Sequence, residues 1–219
     1  MLSVGVLISG RGSNLKALID AAKISGYPAK IVCVVSNEPD AQGLERAKEA
    51  GIPAFVVNHR DYKGQPREVF EKAVDAKLRE QGVQLVCMAG FMRLLTPWFV
   101  NQWLDRLINI HPSLLPAFPG LDVQRKAIAY GVKFSGCTVH FVRAEMDHGP
   151  IILQAAVPVL QDDDEHRLAA RILKSEHVIY PLAVRYIAEN RVNVHDERAF
   201  VTGVKPSEDA LVSPCGITV

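Results

Sequence analysis

The sequence is short of most features that would mark a specialised class. Only four cysteines occur in 219 residues, at Cys33, Cys87, Cys137 and Cys215. No two stand as C-x-x-C, so neither a disulfide framework nor a zinc site is legible. Cys33 and Cys87 lie in apolar runs and read as small buried hydrophobes. There is no H-E-x-x-H and no cluster of His and Asp, so no metal is expected. No apolar run reaches the ~18–20 residues of a membrane span. The opening stretch MLSVGVLISG has no basic leader and no cleavage pattern, so a signal peptide is not expected and a cytoplasmic setting is. Neither sign of charge prevails: 25 Lys and Arg face 24 Asp and Glu, for a net +1. That balance argues against a nucleic acid or a membrane surface as partner.

What is present is globular. Hydrophobic residues make up 48%, enough for a sizeable core in a chain of this length. Short β-branched runs at Ser3–Ser9, Ile31–Val35, Ala54–Val57, Leu85–Ala89 and Leu107–Ile110 read as strands. Between them, Asn14–Ser25, Ala41–Ala50 and Arg67–Glu80 have helical periodicity. Continuous apolar strands alternating with helices predict an α/β fold: a Rossmann-like, doubly wound, mostly parallel sheet. After Asn109 the pattern changes. Pro112, Pro116, Pro119 and Gly120 make a stiff loop, and Asp122–Tyr130 a short helix. Ser135–Val142 and Ile151–Val159 read as C-terminal strands, and Glu165–Glu189 as a long helix that Pro181 would kink or divide. The expected organisation is one domain over 1–195, with halves 1–111 and 112–195, and a loosely attached tail over 196–219.

Three stretches could carry chemistry. Gly10-Arg11-Gly12-Ser13-Asn14 follows the first strand and opens the first helix, where backbone N–H groups favour an anion. A dinucleotide fingerprint would need glycine at Leu15, and no Lys-Ser/Thr pair completes a triphosphate loop. An ordinary tight turn with a capping residue remains open. Asn109 and His111 are two apart in a strand and project together at its C-terminal end. An amide beside an imidazole suits acyl transfer, since both can stabilise an oxyanion and the imidazole can move protons; a capping Asn and a structural His are the alternative. Asp147 lies in a loop from which a carboxylate could reach His111 and favour its charged form, although loop acids are usually just solvated. His59, His166, His177 and His195 have no evident partners, and His140 reads as core or sheet surface. No G-x-S-x-G elbow is present, and Ser113 lacks that context.

Together these stretches resemble the folate-dependent formyltransferases, above all those acting on glycinamide ribonucleotide. The likeness runs over roughly Met1–His195. It rests on Val6–Leu15, Met88–Leu95, Asn109–Pro116, Phe118-Pro119-Gly120 and Asp147–Ile151, in that order and spacing. The resemblance implies formyl transfer from 10-formyltetrahydrofolate as co-substrate to the amine of the ribonucleotide, with no metal. It implies Asn109, His111 and Asp147 as the catalytic set. Gly12, Ser13 and Asn14 would hold the phosphate and Glu176 the ribonucleotide, while Arg67, Met92, Arg93, Leu94 and Leu95 would bind the folate. A cis bond is expected at Leu115–Pro116. Arg11 and His148 depart from what many relatives carry, which leaves the local loop shape at His148 open. Nearby alternatives are a formyltetrahydrofolate hydrolase, a methionyl-tRNA formyltransferase, for which the chain is too short and too neutral, and a non-catalytic nucleotide-binding module. Monomer and homodimer are both compatible with the sequence.

Overall fold

The computed structural model describes residues 1–204 and Ser213; Cys215 and most of the expected tail lie outside the described residues. Five strands and their helices come first: β1 (Leu2–Ile8), α1 (Ser13–Ala22), β2 (Ala29–Ser36), α2 (Gln42–Glu49), β3 (Ala54–Val56), α3 (Arg67–Glu80), β4 (Leu85–Met88), α4 (Pro97–Gln102) and β5 (Leu107–His111). Then follow α5 (Val123–Tyr130), β6 (Phe134–Phe141), β7 (Ile151–Pro158), α6 (Glu165–Ala188), β8 (Val192–His195) and β9 (Arg198–Val201). The main sheet runs β3-β2-β1-β4-β5-β6-β7. Its first five strands are parallel, and β6 and β7 are antiparallel. Strand order reverses at β1, which pairs with both β2 and β4, so the crevice belongs at the C-terminal ends of these central strands.

The central strands β1, β2, β4 and β5 are largely apolar because both sheet faces are covered there. Val6, Ile8, Val34, Cys87 and Ile108 join Leu15, Leu168, Ile172 and Tyr180 in one core. Alternate residues Leu7, Cys33, Val35, Val86 and Leu107 join Phe70, Val74, Leu78, Phe99 and Trp103 in the other. Burying apolar surface at roughly 25 cal/mol per Å² on both faces is the main stabilising contribution.

The expected strands and helices are all present, with ends shifted by a few residues. Four pieces were not anticipated: a 3₁₀ turn at His59–Tyr62, helix α4, and the strands β8 and β9. Pro97 at the start of α4 is a usual first-turn signal. Pro181 does not divide α6, which runs unbroken with its N-cap Asp164 accepting from Arg167 N–H at 2.8 Å. The Pro181 carbonyl accepts a hydrogen bond from the buried Tyr27 hydroxyl at 2.7 Å. Residues 198–201, within the stretch expected as a tail, pair with β8 in a hairpin. Among the described residues no helix is long and apolar enough to cross a membrane.

Candidate active site

The turn after β1 is built by close approach. Gly12 has φ 68°, and a Cβ there would lie 2.7 Å from Gly43 Cα. The Gly43 N–H donates to Gly10 O at 3.0 Å, drawing α2 against the turn. Gly12 is the N-cap of α1 and supplies no side-chain cap, so the first N–H groups of the helix face outward. Asn14 and Glu176 sit beside this helix end, both buried. Asn14 Nδ2 donates to Glu176 Oε2 at 2.7 Å, while Asn14 Oδ1 has no partner among the described residues. Burial raises the Glu176 carboxyl above the usual range, and the Asn14 hydrogen bond opposes the shift. Helix α6 brings Glu176 here, and its next turn is pinned where the Tyr180 hydroxyl donates to Met88 O and Ile108 O at 2.9 and 3.3 Å.

At the end of β5, Asn109 and His111 continue the face that Leu107 occupies. His111 is 5% exposed. Its Nδ1 lies 3.4 Å from Asp147 Oδ1, and its Nε2 lies 3.0 Å from the Phe118 carbonyl. Both neighbours can only accept, so a charged ring satisfies both with its two N–H groups. Asp147 Oδ2 in turn accepts from Gly120 N–H at 2.7 Å. The Asn109 amide has no hydrogen-bond partner among the described residues. Loops cover this part of the sheet, and Phe118, Asp122 and Asp147 all adopt left-handed backbone. The Leu115–Pro116 bond is cis, as the resemblance implied. Thr138 and Gln154, which sequence reasoning missed, hold the start of the first loop. Thr138 Oγ1 accepts from Leu115 N–H at 3.0 Å and donates to Ser113 O at 2.7 Å, and Gln154 Nε2 donates to Leu115 O at 2.9 Å.

The route of the Asp147 loop was not legible. Phe141, at the end of β6, pairs with Ile108, near the start of β5. The loop therefore leaves the sheet there and doubles back, roughly 10 Å along the strand, to bring Asp147 to His111.

A third cluster lies between α3 and the segment after β4. Arg67 and Arg93 line one cavity of about 350 Å³ together with His59, Arg60 and Lys63, and His111 is not among its lining residues. Met92 and Leu94 are exposed, and Leu95 packs against the second core. Two residues that sequence reasoning missed fix this segment. Ser9 Oγ accepts from Met92 N–H at 2.8 Å. Glu71, 1% exposed, accepts from Thr96 N–H at 2.7 Å and also from the Thr96 hydroxyl. A carboxylate beside Phe70 on the apolar side of α3 was the available signal.

The other histidines differ in their surroundings. His59 does have partners: its Nδ1 is 3.0 Å from Asn37 O and 3.5 Å from Glu38. His140 is buried within β6, as expected, with Nε2 unpartnered and its ring held towards the neutral form by burial. His177 Nε2 is also buried, and neither it nor His140 Nε2 has a partner among the described residues. Among the described residues no three His, Cys, Asp or Glu side chains group as a metal site.

Comparison with known proteins agrees with this geometry. Residues 2–184 match the formyl transferase family. The chain is 50% identical over 196 residues to the trifunctional purine biosynthetic protein adenosine-3 of Drosophila melanogaster, covering 89% of this chain but 14% of that protein. It thus spans about a seventh of the trifunctional relatives from flies. It is 43% identical to the phosphoribosylglycinamide formyltransferase of Escherichia coli, covering 92% of this chain and 94% of that one. The crystal structure of glycinamide ribonucleotide transformylase 1 from Symbiobacterium toebii superposes with a TM-score of 0.89 at 48% identity, over 92% of this chain and 94% of that one. The chain belongs to the formyl transferase family, in its phosphoribosylglycinamide formyltransferase branch.

Proposed function

We propose that this protein transfers the formyl group of 10-formyltetrahydrofolate to the primary amine of glycinamide ribonucleotide, a step of de novo purine biosynthesis in the cytoplasm. The observation that carries the reading is the His111–Asp147 pair beside the unpartnered Asn109 amide, at the mouth of the sheet. The anion-ready turn at Gly12, Ser13 and Asn14, with Glu176 beside it, takes the ribonucleotide. Arg67 and Arg93, with Met92, Leu94 and Leu95, take the folate. The assignment draws on both sequence halves, with Gly12 to Asn14, Arg67, Met92 to Leu95, Asn109 and His111 from 1–111 and Asp147 and Glu176 from 112–195, and a monomer or a homodimer would serve it.

In the reaction the amine nitrogen attacks the formyl carbon on N10, and a tetrahedral oxyanion forms. The Asn109 amide and the His111 imidazolium stabilise it, each donor contributing on the order of 10²–10³ in rate. His111 reaches the oxyanion through Nε2 once the Phe118 carbonyl gives way, while Asp147 holds Nδ1. Collapse breaks the bond from carbon to N10. The proton lost by the attacking nitrogen passes to N10, through Asp147, His111 and water. Formylated ribonucleotide and tetrahydrofolate leave with atoms balanced, and no metal enters the scheme.

The test is spectroscopic deformylation of 10-formyltetrahydrofolate with and without glycinamide ribonucleotide. Turnover only with the amine is expected. Formate release without it would make the protein a hydrolase, and no turnover in either condition would leave a binding module.

A further inference from the structure

The loop that carries Asp147 is tied at its neck to two distant parts of the chain. Arg143 stands just past the end of β6, with its side chain 14% exposed. Its Nε–H donates to Glu197 Oε2 at 2.6 Å, and its Nη2 donates to Asp105 Oδ1 at 2.8 Å. Asp105 precedes β5, and Glu197 lies in the turn between β8 and β9. Both acids have left-handed backbone, with φ 53° and 55°. The Arg143 N–H closes the loop by donating to His148 O at 3.2 Å. The neck is tight: a Cβ on Gly149 would lie 2.1 Å from Phe141 O and 3.1 Å from Arg143 Cγ. Nothing in the proposed chemistry uses Arg143, Asp105 or Glu197.

We infer that Arg143 is a positioning residue for Asp147: the Asp105–Arg143–Glu197 bridge fixes the neck of the loop, so that the loop doubles back along β5 and delivers its carboxylate to His111. The guanidinium suits this task because its planar fork engages two acids at once, which an ammonium does with less geometric definition. The C-terminal hairpin thereby acquires a role in the active site without touching it. Releasing the neck lets the loop populate arrangements in which Asp147 is away from His111. Turnover then falls with the competent fraction, while groups that bind the substrates elsewhere are unaffected.

The role of Asp147 rests on the function proposed above, so the test has one arm that needs no turnover. The variants are Glu197→Gln, Asp105→Asn, the two together, and Arg143→Lys. Both acids are partly exposed, so each pair alone is weak. The double variant is expected to lose roughly three- to tenfold in kcat with both KM values unchanged, and Arg143→Lys less. In an Asp147→Asn background the same changes should cause no further loss, because the group they position is already disabled. Hydrogen exchange of the 144–149 amides should quicken in the double variant while the sheet stays protected. An equal loss in the Asp147→Asn background, an unchanged kcat in an enzyme that turns over, or unchanged exchange would each overturn the inference. Quickened exchange in a protein that never transfers formyl would instead remove the functional reading and leave the latch standing.

Discussion

The two ends of the site are built by different means. In the proposed site, the ribonucleotide end takes its groups from regular elements: Gly12 to Asn14 from the start of α1, and Glu176 from the middle of α6, pinned by Tyr180. At the catalytic end only Asn109 and His111 stand on a strand. The two groups that meet the His111 ring, Phe118 O and Asp147, come from loops with left-handed residues, as does Gly120, which donates to Asp147. Binding a fixed charged group is served by a preformed cradle. Moving protons around a tetrahedral intermediate needs a cover that can give way, since His111 Nε2 faces a backbone carbonyl in this conformation. The comparison teaches that affinity resides in the scaffold and chemistry in what folds over it.

Removing the centre of the loop end should have the largest effect. His111→Ala is expected to lower kcat by about 10²–10³ with the melting temperature and circular dichroism kept. A folded variant with near wild-type turnover would remove His111 from the chemistry. At the scaffold end, Gly12→Ala forces a side chain into left-handed backbone against Gly43, a strain of about 1–3 kcal/mol. It should raise KM for the ribonucleotide about tenfold or more and leave KM for the folate alone. Equal changes in both KM values would merge the two ends.

Glu176→Gln separates binding from stability. Burial raises the folded pKa of this carboxyl, so the folded protein holds the proton more tightly than the unfolded chain does. Its stabilising contribution is present below the ordinary carboxylate range and is lost as pH rises through the folded value. At neutral pH the ligand-free Glu176→Gln protein should therefore melt higher, by about 2–4 °C per kcal/mol recovered, while KM for the ribonucleotide rises. A lower melting temperature would show that the carboxylate stabilises the ligand-free cradle. The smallest effect concerns the core beneath both ends. Burial pushes the thiols of Cys33, Cys87 and Cys137 up to about 12, so iodoacetamide should leave all three unmodified until unfolding, as read by mass spectrometry. Selective labelling of Cys137, in β6 behind the loop end, would show that the difference between the ends extends into the sheet.

The same division governs what the sequence revealed. Unbroken apolar runs and helical patterns identified the sheet, because strands such as β1 bury both faces. Gly10 to Asn14 and the Asn109–His111 pair were readable because strand and helix geometry alone brings their groups together. Asp147 and Glu176 were not readable in that way. Each is one acid among many: Asp147 stood out only as a loop acid that could reach His111, and Glu176 entered through the resemblance alone. Their partners, Gly120 N–H and Asn14, lie 27 and 162 residues away. Arg143, Thr138 and Gln154 went unnoticed because they act on backbone or on other side chains at long range. No local pattern encodes such contacts.

The doubled-back loop also has a consequence for how the molecule comes to life. Its anchor points lie before β5, after β6 and in the final hairpin. Asp147 can meet His111 only after β5 and β6 have paired in the correct register, and docking of the β8–β9 hairpin then holds it there. Activity therefore waits on contacts of Arg143 that span 38 residues to Asp105 and 54 to Glu197 in sequence.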